Sequence, residues 1–467
     1  MVNYVFNRLI LIEESSETLF DKFWGVLSNK IMIIAYIIIL LILMIVLVVS
    51  MIKSEASPIS YNDDELNHRP HDVAHDTPRY NQPIGLSDSK NEILVKIKQE
   101  KKQKEFHTES RFYMLTKIDH DYEYYTRPVY DDKISLSEIC ERFRNYASNT
   151  LHLYYDISDI RRFVASFSVT HILILQGMSG TGKTSLAFAF GEFIKNHTTI
   201  IPIQPMWKER TDLIGYYNEF TKKFNETTLL QKLYEANYTD DIYITVLDEM
   251  NIARIEYYFA EFLSLLELPN IEGRNLDVVA DIWNNDPKLL RNGQIRLPDN
   301  MWFVGTANND DSTFSIADKV YDRAMIINLD RKAVAFEGDN VGAVKISASH
   351  LKKLMESAKN DFRISKRNLR RIQKLDEYMI ENFHITFGNR IMKQIINFVP
   401  VYVACGGEEL DALDYLLSRK LIRKLESQNP VYIRSAAKNL MVYFDDLFGP
   451  DQMPLCKEYI QNIERNV

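Results

Sequence analysis

The sequence predicts an α/β fold with a parallel sheet followed by an all-helical region, and three observations lead to this prediction. Short apolar runs typical of buried strands recur at 171–176, 199–203, 242–247, 302–306 and 325–329. Helical patterns separate several of these runs, and strands that alternate with helices form a parallel sheet covered on both faces. After residue 331 the pattern is helical to the end of the chain.

The composition is that of a globular protein. Of 467 residues, 46% are hydrophobic and 26% are charged, which is ordinary for folded domains. The chain has 56 Lys and Arg against 64 Asp and Glu, a net charge of −8, so it does not coat nucleic acid by bulk charge. Its cysteines, Cys140, Cys405 and Cys456, are odd in number and far apart, which excludes a disulfide framework.

One segment has a membrane pattern. Residues 31–52 (IMIIAYIIILLILMIVLVVSMI) are 22 residues without a charge, which at about 1.5 Å per residue spans a bilayer core of about 30 Å. A buried core helix is rarely apolar on all sides, and a signal peptide is shorter and ends at a small-residue cleavage site. We therefore expect a single-pass anchor. Lys22 and Lys30 before the segment balance Lys53 and Arg69 after it, so charge does not orient it.

The rest of the chain divides by composition. Residues 1–30 form a short mixed N-terminal segment. Residues 53–133 are predicted to be a polar linker with a Lys-rich helix at 89–106. The α/β domain is expected over 134–330, and the helical C-terminal region over 331–467.

The strongest motif is GMSGTGKT at 177–184, which matches GxxxxGK[ST] between a predicted strand and a predicted helix. In this pattern glycines let backbone N–H groups surround a phosphate, and the positive end of the helix adds to the attraction. Lys183 would reach the β- and γ-phosphates of a nucleotide, and Thr184 would bind Mg²⁺. The predicted nucleotide-binding residues here are Gly177, Met178, Ser179, Gly180, Thr181, Gly182, Lys183, Thr184 and Ser185.

Two further strands end in polar residues. The strand at 242–247 runs into Asp248 and Glu249. Asp248 would hold Mg²⁺ through water, and Glu249 would orient or deprotonate an attacking water. The strand at 302–306 continues to Asn308, which would position water beside the γ-phosphate; a plain turn asparagine is the alternative.

The order of these motifs resembles the AAA+ family, and most closely its branch of dynein-related and McrB-type ATPases. The resemblance rests on LQGMSGTGKTSL, VLDEMN, WFVGTAN and YDRA, and it covers about residues 135–425. It implies an AAA+ P-loop core followed by a helical lid. Within that core it implies Walker A at 177–184, Walker B at Asp248 and Glu249, and sensor 1 at Asn308.

The same resemblance gives roles to two arginines. Arg323, in YDRA, falls where the family places an arginine finger for the neighbouring subunit's nucleotide. There a cation neutralises charge on the transferred phosphoryl group; a surface arginine is the alternative. Arg390, in FGNR, resembles sensor 2 and would touch the γ-phosphate. A finger that acts on a neighbour implies a ring of copies of this chain, and a hexamer is the expected ring.

The sequence leaves two nucleotide bases open. The McrB signature reads Met-Asn-x-x-Asp-Arg, and the matching stretch here is 307–312. Asp311 fits this signature, but Ser312 replaces the arginine. ATP with Mg²⁺ is therefore the expected substrate and cofactor, and GTP is the alternative.

Three surfaces could contact partners. The aromatic residues of 207–217 would face a ring pore or pack on the sheet, and the polar stretch 271–297 would form a hairpin insert. A basic stripe with helical spacing would bind nucleic acid or an acidic protein surface, unless it is a solvated face or a contact with the next subunit. Its residues are Arg363, Lys366, Arg367, Arg370, Arg371 and Lys374.

These observations predict a membrane-anchored AAA+ ATPase whose ATP hydrolysis remodels a protein or nucleic-acid partner. Because ATP is available in the cytosol, residues 53–467 are expected to be cytoplasmic. One alternative is a McrB-like motor of an anti-phage restriction system, driven by GTP or ATP. The other is a nucleotide-gated membrane scaffold that scarcely hydrolyses, and the intact Glu249 argues against it.

Overall fold

The computed structural model describes residues 110–308, 310 and 313–466. The N-terminal segment 1–30, the predicted membrane anchor 31–52 and most of the predicted linker lie outside these residues. Within the described ranges, no helix is both long enough and apolar enough to span a bilayer.

Five parallel strands form the central sheet, as predicted. The strands of the described residues are β1 (Ile172–Gly177), β2 (Thr199–Pro202), β3 (Gly215–Asn218), β4 (Lys223–Glu226), β5 (Tyr243–Asp248), β6 (Asn275–Asp277), β7 (Gln294–Arg296), β8 (Met301–Asn308) and β9 (Met325–Asn328). The sheet has the order β2-β5-β8-β1-β9, and every neighbouring pair in it is parallel. Its strands coincide with the five predicted apolar runs, so that prediction is confirmed.

Both faces of the sheet are buried, as expected for parallel strands. Leu173 and Leu175 of β1 belong to one hydrophobic core, and Ile172 and Ile174 belong to the other. Successive side chains of a strand point to opposite faces. The continuous apolar run of β1 therefore fills two cores at once.

Helices cover these faces and continue beyond the sheet. In the α/β part they are α1 (Tyr113–Glu123), α2 (Leu136–Leu151), α3 (Ile157–Ser166), α4 (Lys183–Phe193), α5 (Arg210–Ile214), α6 (Thr228–Ala236), α7 (Ile255–Tyr258), α8 (Ala260–Leu265) and α9 (Asp318–Tyr321). The lid, as we name residues 348–466, contains α10 (Ala348–Asp361), α11 (Lys366–Phe383), α12 (Gly388–Ala404), α13 (Glu409–Lys420), α14 (Pro430–Phe448) and α15 (Pro454–Asn466).

The predicted linker 53–133 ends earlier than the sequence suggests. Phe112 and Leu115, at the start of α1, are fully buried. The Glu226 carboxylate accepts the N–H groups of Met114 and Leu115, each at 2.8 Å. The assignment to a linker was wrong for this part because two buried apolar side chains in a polar stretch give no visible periodicity.

The region after β9 is not helical from its first residue, which corrects the prediction for residues 331 onward. Residues 331–346 contain neither helix nor strand. Val344 and Ile346 are buried, and the Val344 N–H donates to the Phe193 carbonyl at 2.8 Å. Buried side chains at every second position are typical of extended chain. From Ala348 onward the predicted helical pattern is confirmed.

Two short hairpins leave the sheet. β3 pairs with β4, and β6 pairs with β7, both antiparallel. The second hairpin, with Leu276 opposite Ile295, lies within 271–297 and confirms the predicted insert.

Candidate functional site

A glycine-rich loop connects β1 to α4, and its backbone requires its glycines. Gly177 has a φ of +150°, and a Cβ there would lie 2.6 Å from the Leu329 carbonyl oxygen. Gly182, at the N-cap of α4, has a φ of +88°. A side chain at Gly177 would collide with the backbone just after β9. The loop therefore keeps its path only with glycine at this position.

Lys183 reaches back over this loop. Its side chain is buried, and its Nζ donates to the carbonyls of Gly177 at 3.0 Å and Met178 at 2.7 Å. Burial lowers the pKa of Lys183, while nearby carboxylates, Asp248 first among them, oppose this effect. The ammonium group is therefore held at the loop, where an anion would relieve its desolvation.

A hydroxyl and a carboxylate meet below the loop. Thr184 Oγ1 donates to Asp248 Oδ1 at 2.8 Å, which joins the start of α4 to the end of β5. Hydroxyl and carboxylate oxygens are the donors that Mg²⁺ prefers. The chemistry of this pair therefore fits the predicted cation.

Thr306 is a site residue that sequence reasoning missed. Its Oγ1 donates to Asp248 Oδ1 at 2.8 Å and accepts the Glu249 N–H at 2.8 Å. Thr306 is buried in β8, and the parallel register that pairs Leu247 with Gly305 brings it beside Asp248. The available signal was that two polar strand ends belong to adjacent parallel strands.

Glu249 has an unusual backbone. Its φ of 52° and ψ of 46° are left-handed, which costs a residue with a Cβ about 1 kcal/mol or more. The bond from its N–H to Thr306 helps to hold this conformation. The side chain is exposed, so the carboxylate lies at the surface of the site.

Asn308 ends β8 beside the loop, because the register pairs it with Gly177. Asn251, buried just after β5, fixes its backbone. Asn251 Nδ2 donates to the Asn308 carbonyl at 2.9 Å, and Asn251 Oδ1 accepts the Asn308 N–H at 3.3 Å. Asn251 was missed by the sequence reasoning, although it belongs to the quoted VLDEMN motif.

Comparison with known proteins finds one family model that matches this region. Residues 172–324 match the family model of the AAA domain, dynein-related subfamily. The matched region is about a third of the chain and runs from β1 to the turn after α9. Among solved structures, the chain is similar to a "putative ATPase" from Cytophaga hutchinsonii ATCC 33406, with 13% identity and a TM-score of 0.38, over 75% of this chain and 97% of that chain. No curated protein matches the chain.

The two predicted arginines lie together and pair with the same carboxylate. Arg323 Nε pairs with Glu267 Oε2 at 3.1 Å, and Arg390 Nη2 pairs with Glu267 Oε1 at 3.0 Å. Arg390 also faces Asp322 at 3.9 Å. The structure thus does not bring Arg390 to the loop as predicted, because the start of α12 packs beside the turn that carries Arg323.

A cavity of about 890 Å³ opens beside the start of the loop. Gln176 and Asp330 line it on the sheet side, and Tyr415 lines it on the lid side. Several buried polar atoms of its lining have no hydrogen-bond partner within the described residues: Arg162 Nε, Asn328 Oδ1, Arg419 Nε and Arg423 Nε. Unpaired buried donors and acceptors are groups that a polar ligand would satisfy.

The aromatic residues predicted for a pore divide between packing and exposure. Trp207 packs against Tyr258, and Tyr217 packs against Trp283. Tyr216 is exposed, and Phe220, at the tip of the β3–β4 hairpin, is 99% exposed.

The basic stripe lies on α11 and the residues before it. Arg363, Lys366, Arg367, Arg370 and Lys374 are exposed, and no acidic residue of the described chain forms an ion pair with them. Arg371 is half-buried and stacks over Phe448. Whether the stripe binds a partner stays a prediction.

Proposed function

We propose that this chain is an ATPase that hydrolyses ATP in a ring of AAA+ domains. The observation that supports this most strongly is the group formed by Thr184, Asp248, Thr306 and Glu249 directly below a glycine-rich loop. Thr184, Asp248 and Glu249 are the side chains that phosphoryl transfer needs, and Thr306 from a third segment holds the two acids in place. We also propose that the chain divides after β9 into an α/β domain and a C-terminal helical lid, whose first helix begins at Ala348.

The loop and its lysine bind the phosphates in this proposal. Backbone N–H groups of 177–184 surround the β- and γ-phosphates together with the positive end of α4. Lys183 exchanges its two carbonyl acceptors for phosphate oxygens. Thr184 and Asp248 would hold Mg²⁺, which would supply positive charge to neutralise the phosphates. The cavity beside Gln176 receives the ribose and base.

Glu249 orients the attacking water and accepts its proton. The water oxygen bonds to the γ-phosphorus as the bond to the β–γ bridging oxygen breaks, which gives ADP and phosphate. Thr306 keeps Glu249 in position through the backbone, and Asn308, beside Gly177 at the end of β8, would place a second polar group near the γ-phosphate. A positioned general base of this kind contributes about 10²–10⁴-fold to a rate.

Arg323 completes the site of the next subunit. Its side chain is 27% exposed, and its polar contacts among the described residues are with Glu267 and Ser264. We therefore propose a ring, with six copies as the expected number, in which each Arg323 neutralises the neighbour's transferring phosphoryl group. Arg390, which shares Glu267, would act on the same neighbouring nucleotide.

The remaining elements of the proposal concern location and client. Residues 31–52 would anchor the chain in a membrane, with 53–467 on the cytoplasmic side. ATP hydrolysis would remodel a protein or nucleic-acid partner, and the basic stripe and Phe220 are the surfaces that would meet it.

Phosphate release by the full-length chain tests this proposal. Glu249→Gln should lower ATP turnover by about 10²-fold or more while nucleotide binding is retained. Glu272→Gln, a change of an exposed acid in the insert, is the matched control and should leave turnover unchanged. Turnover with GTP alone would favour the McrB-like motor. Nucleotide-dependent assembly without turnover would favour the scaffold and contradict the ATPase.

A further inference from the structure

The turn that carries Arg323 is held by side chains of the lid. Lys420 Nζ, on α13, donates to the carbonyls of Tyr321 and Ala324, the latter at 2.6 Å. Gln394 Nε2, on α12, donates to the Asp322 carbonyl at 2.9 Å. Backbone acceptors on both sides of Arg323 are thus bound by two lid helices.

A third lid residue contacts the same segment. Arg423 Nη2 pairs with Asp318 Oδ1 at 2.6 Å, and its guanidinium lies 4.0 Å from the centre of the Tyr321 ring. Tyr321 in turn donates its hydroxyl to Gln176 Oε1 at 3.1 Å. Because Gln176 directly precedes the glycine-rich loop, the turn touches both the lid and the entrance of its own nucleotide site.

Burial makes these contacts costly to break. Lys420 is 4% exposed and Gln394 is 6% exposed, so water cannot replace them at the carbonyls. An unpaired buried carbonyl costs about 1–3 kcal/mol. The turn is therefore expected to follow the lid when the lid moves, and Arg323 moves with it.

We propose that Lys420 and Gln394 are positioning residues for hydrolysis in the neighbouring subunit: they fix the Arg323 turn to the lid, so that the lid of one subunit sets where its arginine meets the next nucleotide. This inference rests on the proposed function, in which Arg323 acts on a neighbour. The inference adds that the lid of one subunit controls the contact between its Arg323 and the neighbouring nucleotide. Neither residue touches the nucleotide itself.

Mixed rings of full-length chains test the inference. Arg323→Ala subunits keep an intact site but supply no finger, whereas Glu249→Gln subunits supply a finger but do not hydrolyse. Each is nearly inactive alone, and mixing them should restore ATP turnover. A finger donor that carries Glu249→Gln together with Lys420→Met should restore at least about tenfold less ATP turnover than the Glu249→Gln donor does. The reason is that a misplacement of about 1 Å can lower a rate by about 10²-fold.

Matched variants separate positioning from stability. Glu249→Gln with Gln394→Met should lose restoration in the same way, and it keeps the test valid if Lys420→Met fails to fold. Glu249→Gln with Lys393→Met, a change of the exposed neighbour on α12, should restore turnover fully. Nucleotide affinity and ring size of every donor are measured alongside and should be unchanged.

The outcomes distinguish the positioning role of Lys420 and Gln394 from the finger role of Arg323. Equal restoration by donors with and without Lys420→Met and Gln394→Met overturns the positioning role and leaves the finger intact. No restoration by Glu249→Gln alone overturns both the finger and the inference. Reduced restoration at unchanged ring size and nucleotide affinity supports the inference, because a purely structural role would change those two properties first.

Discussion

Two buried threonines on neighbouring strands show what a hydroxyl contributes at the residue scale. The Thr306 hydroxyl donates to the Asp248 carboxylate and accepts the Glu249 N–H. By contrast, Thr245 Oγ1 on β5 is buried with no hydrogen-bond partner in the described chain. Thr306→Val should lower ATP turnover about tenfold or more and destabilise the fold by about 1–3 kcal/mol, because the Glu249 N–H loses its acceptor. Phosphate release and urea unfolding measure both effects.

Thr245→Val is the control for that substitution. It replaces an unpaired hydroxyl with a methyl group of similar volume, so it should leave stability unchanged or raise it. Equal losses of ATP turnover and stability in Thr306→Val and Thr245→Val would contradict the proposed role of the Thr306 hydroxyl in holding Asp248 and Glu249.

The glycines of the loop differ in what a methyl group would meet. A Cβ at Gly177 would lie 2.6 Å from the Leu329 carbonyl oxygen, whereas a Cβ at Gly180 would meet nothing within 4 Å. Gly177→Ala should therefore abolish measurable nucleotide binding. Gly180→Ala, which strains only a φ of +78°, should weaken binding much less. Calorimetric titration with ATP and Mg²⁺ compares them, and equal affinities would refute the steric argument.

Lys420 makes stability depend on pH. Burial lowers its pKa to about 7; Asp322 opposes the shift, and the cations of Arg423, Lys424 and Arg390 add to it. The ordinary value is 10.5, so between about pH 7 and that value the unfolded chain binds more protons, and the free energy of unfolding rises with pH.

Lys420→Met should remove the part of the rise in unfolding free energy with pH that Lys420 causes. Urea unfolding of both proteins at about pH 7 and about pH 9.5 measures the slope. An identical slope in the two proteins would mean that Lys420 stays charged in the folded state.

At the scale of elements, the contact between α1 and the β6–β7 insert is the least expected feature. The Arg111 guanidinium pairs with Asp286 at 2.7 Å, both side chains being more than nine-tenths buried. The same guanidinium stacks 4.4 Å from the centre of the Trp283 ring. Nearby, Asp119 accepts the Tyr234 hydroxyl at 2.6 Å. The segment before the α/β domain is thus fastened to the insert by charge as well as by apolar contact.

Asp286→Asn should destabilise this contact strongly. Removing one partner of a buried ion pair leaves a desolvated charge, which costs about 3–5 kcal/mol. Glu219→Gln, whose exposed pair with Lys222 is screened by water, should leave the unfolding free energy nearly unchanged. Urea unfolding followed by tryptophan fluorescence measures both, and similar small effects would show that apolar contacts alone dock α1.

At the scale of the whole molecule, the proposed finger from a neighbour would make activity depend on assembly. ATP turnover per chain should rise with protein concentration until rings are complete, because a lone subunit lacks the neighbour's Arg323. The ATP turnover per chain of Arg323→Ala should stay low at every protein concentration. Phosphate release across a dilution series, with light scattering to follow ring size, measures this. A turnover per chain that is constant on dilution to monomers would contradict catalysis between subunits.

Local patterns in the sequence determined the five strands, the glycine-rich loop, the paired acids at the end of β5 and the resemblance to the AAA+ family. Each of these depends on residues within a few positions of one another, where periodicity and motif spacing are visible. The tertiary structure decided the rest. Asn251 bonds to Asn308, 57 positions away, and Lys420 bonds to Ala324, 96 positions away. Such partners meet only through strand register and helix packing, which no short stretch of sequence specifies.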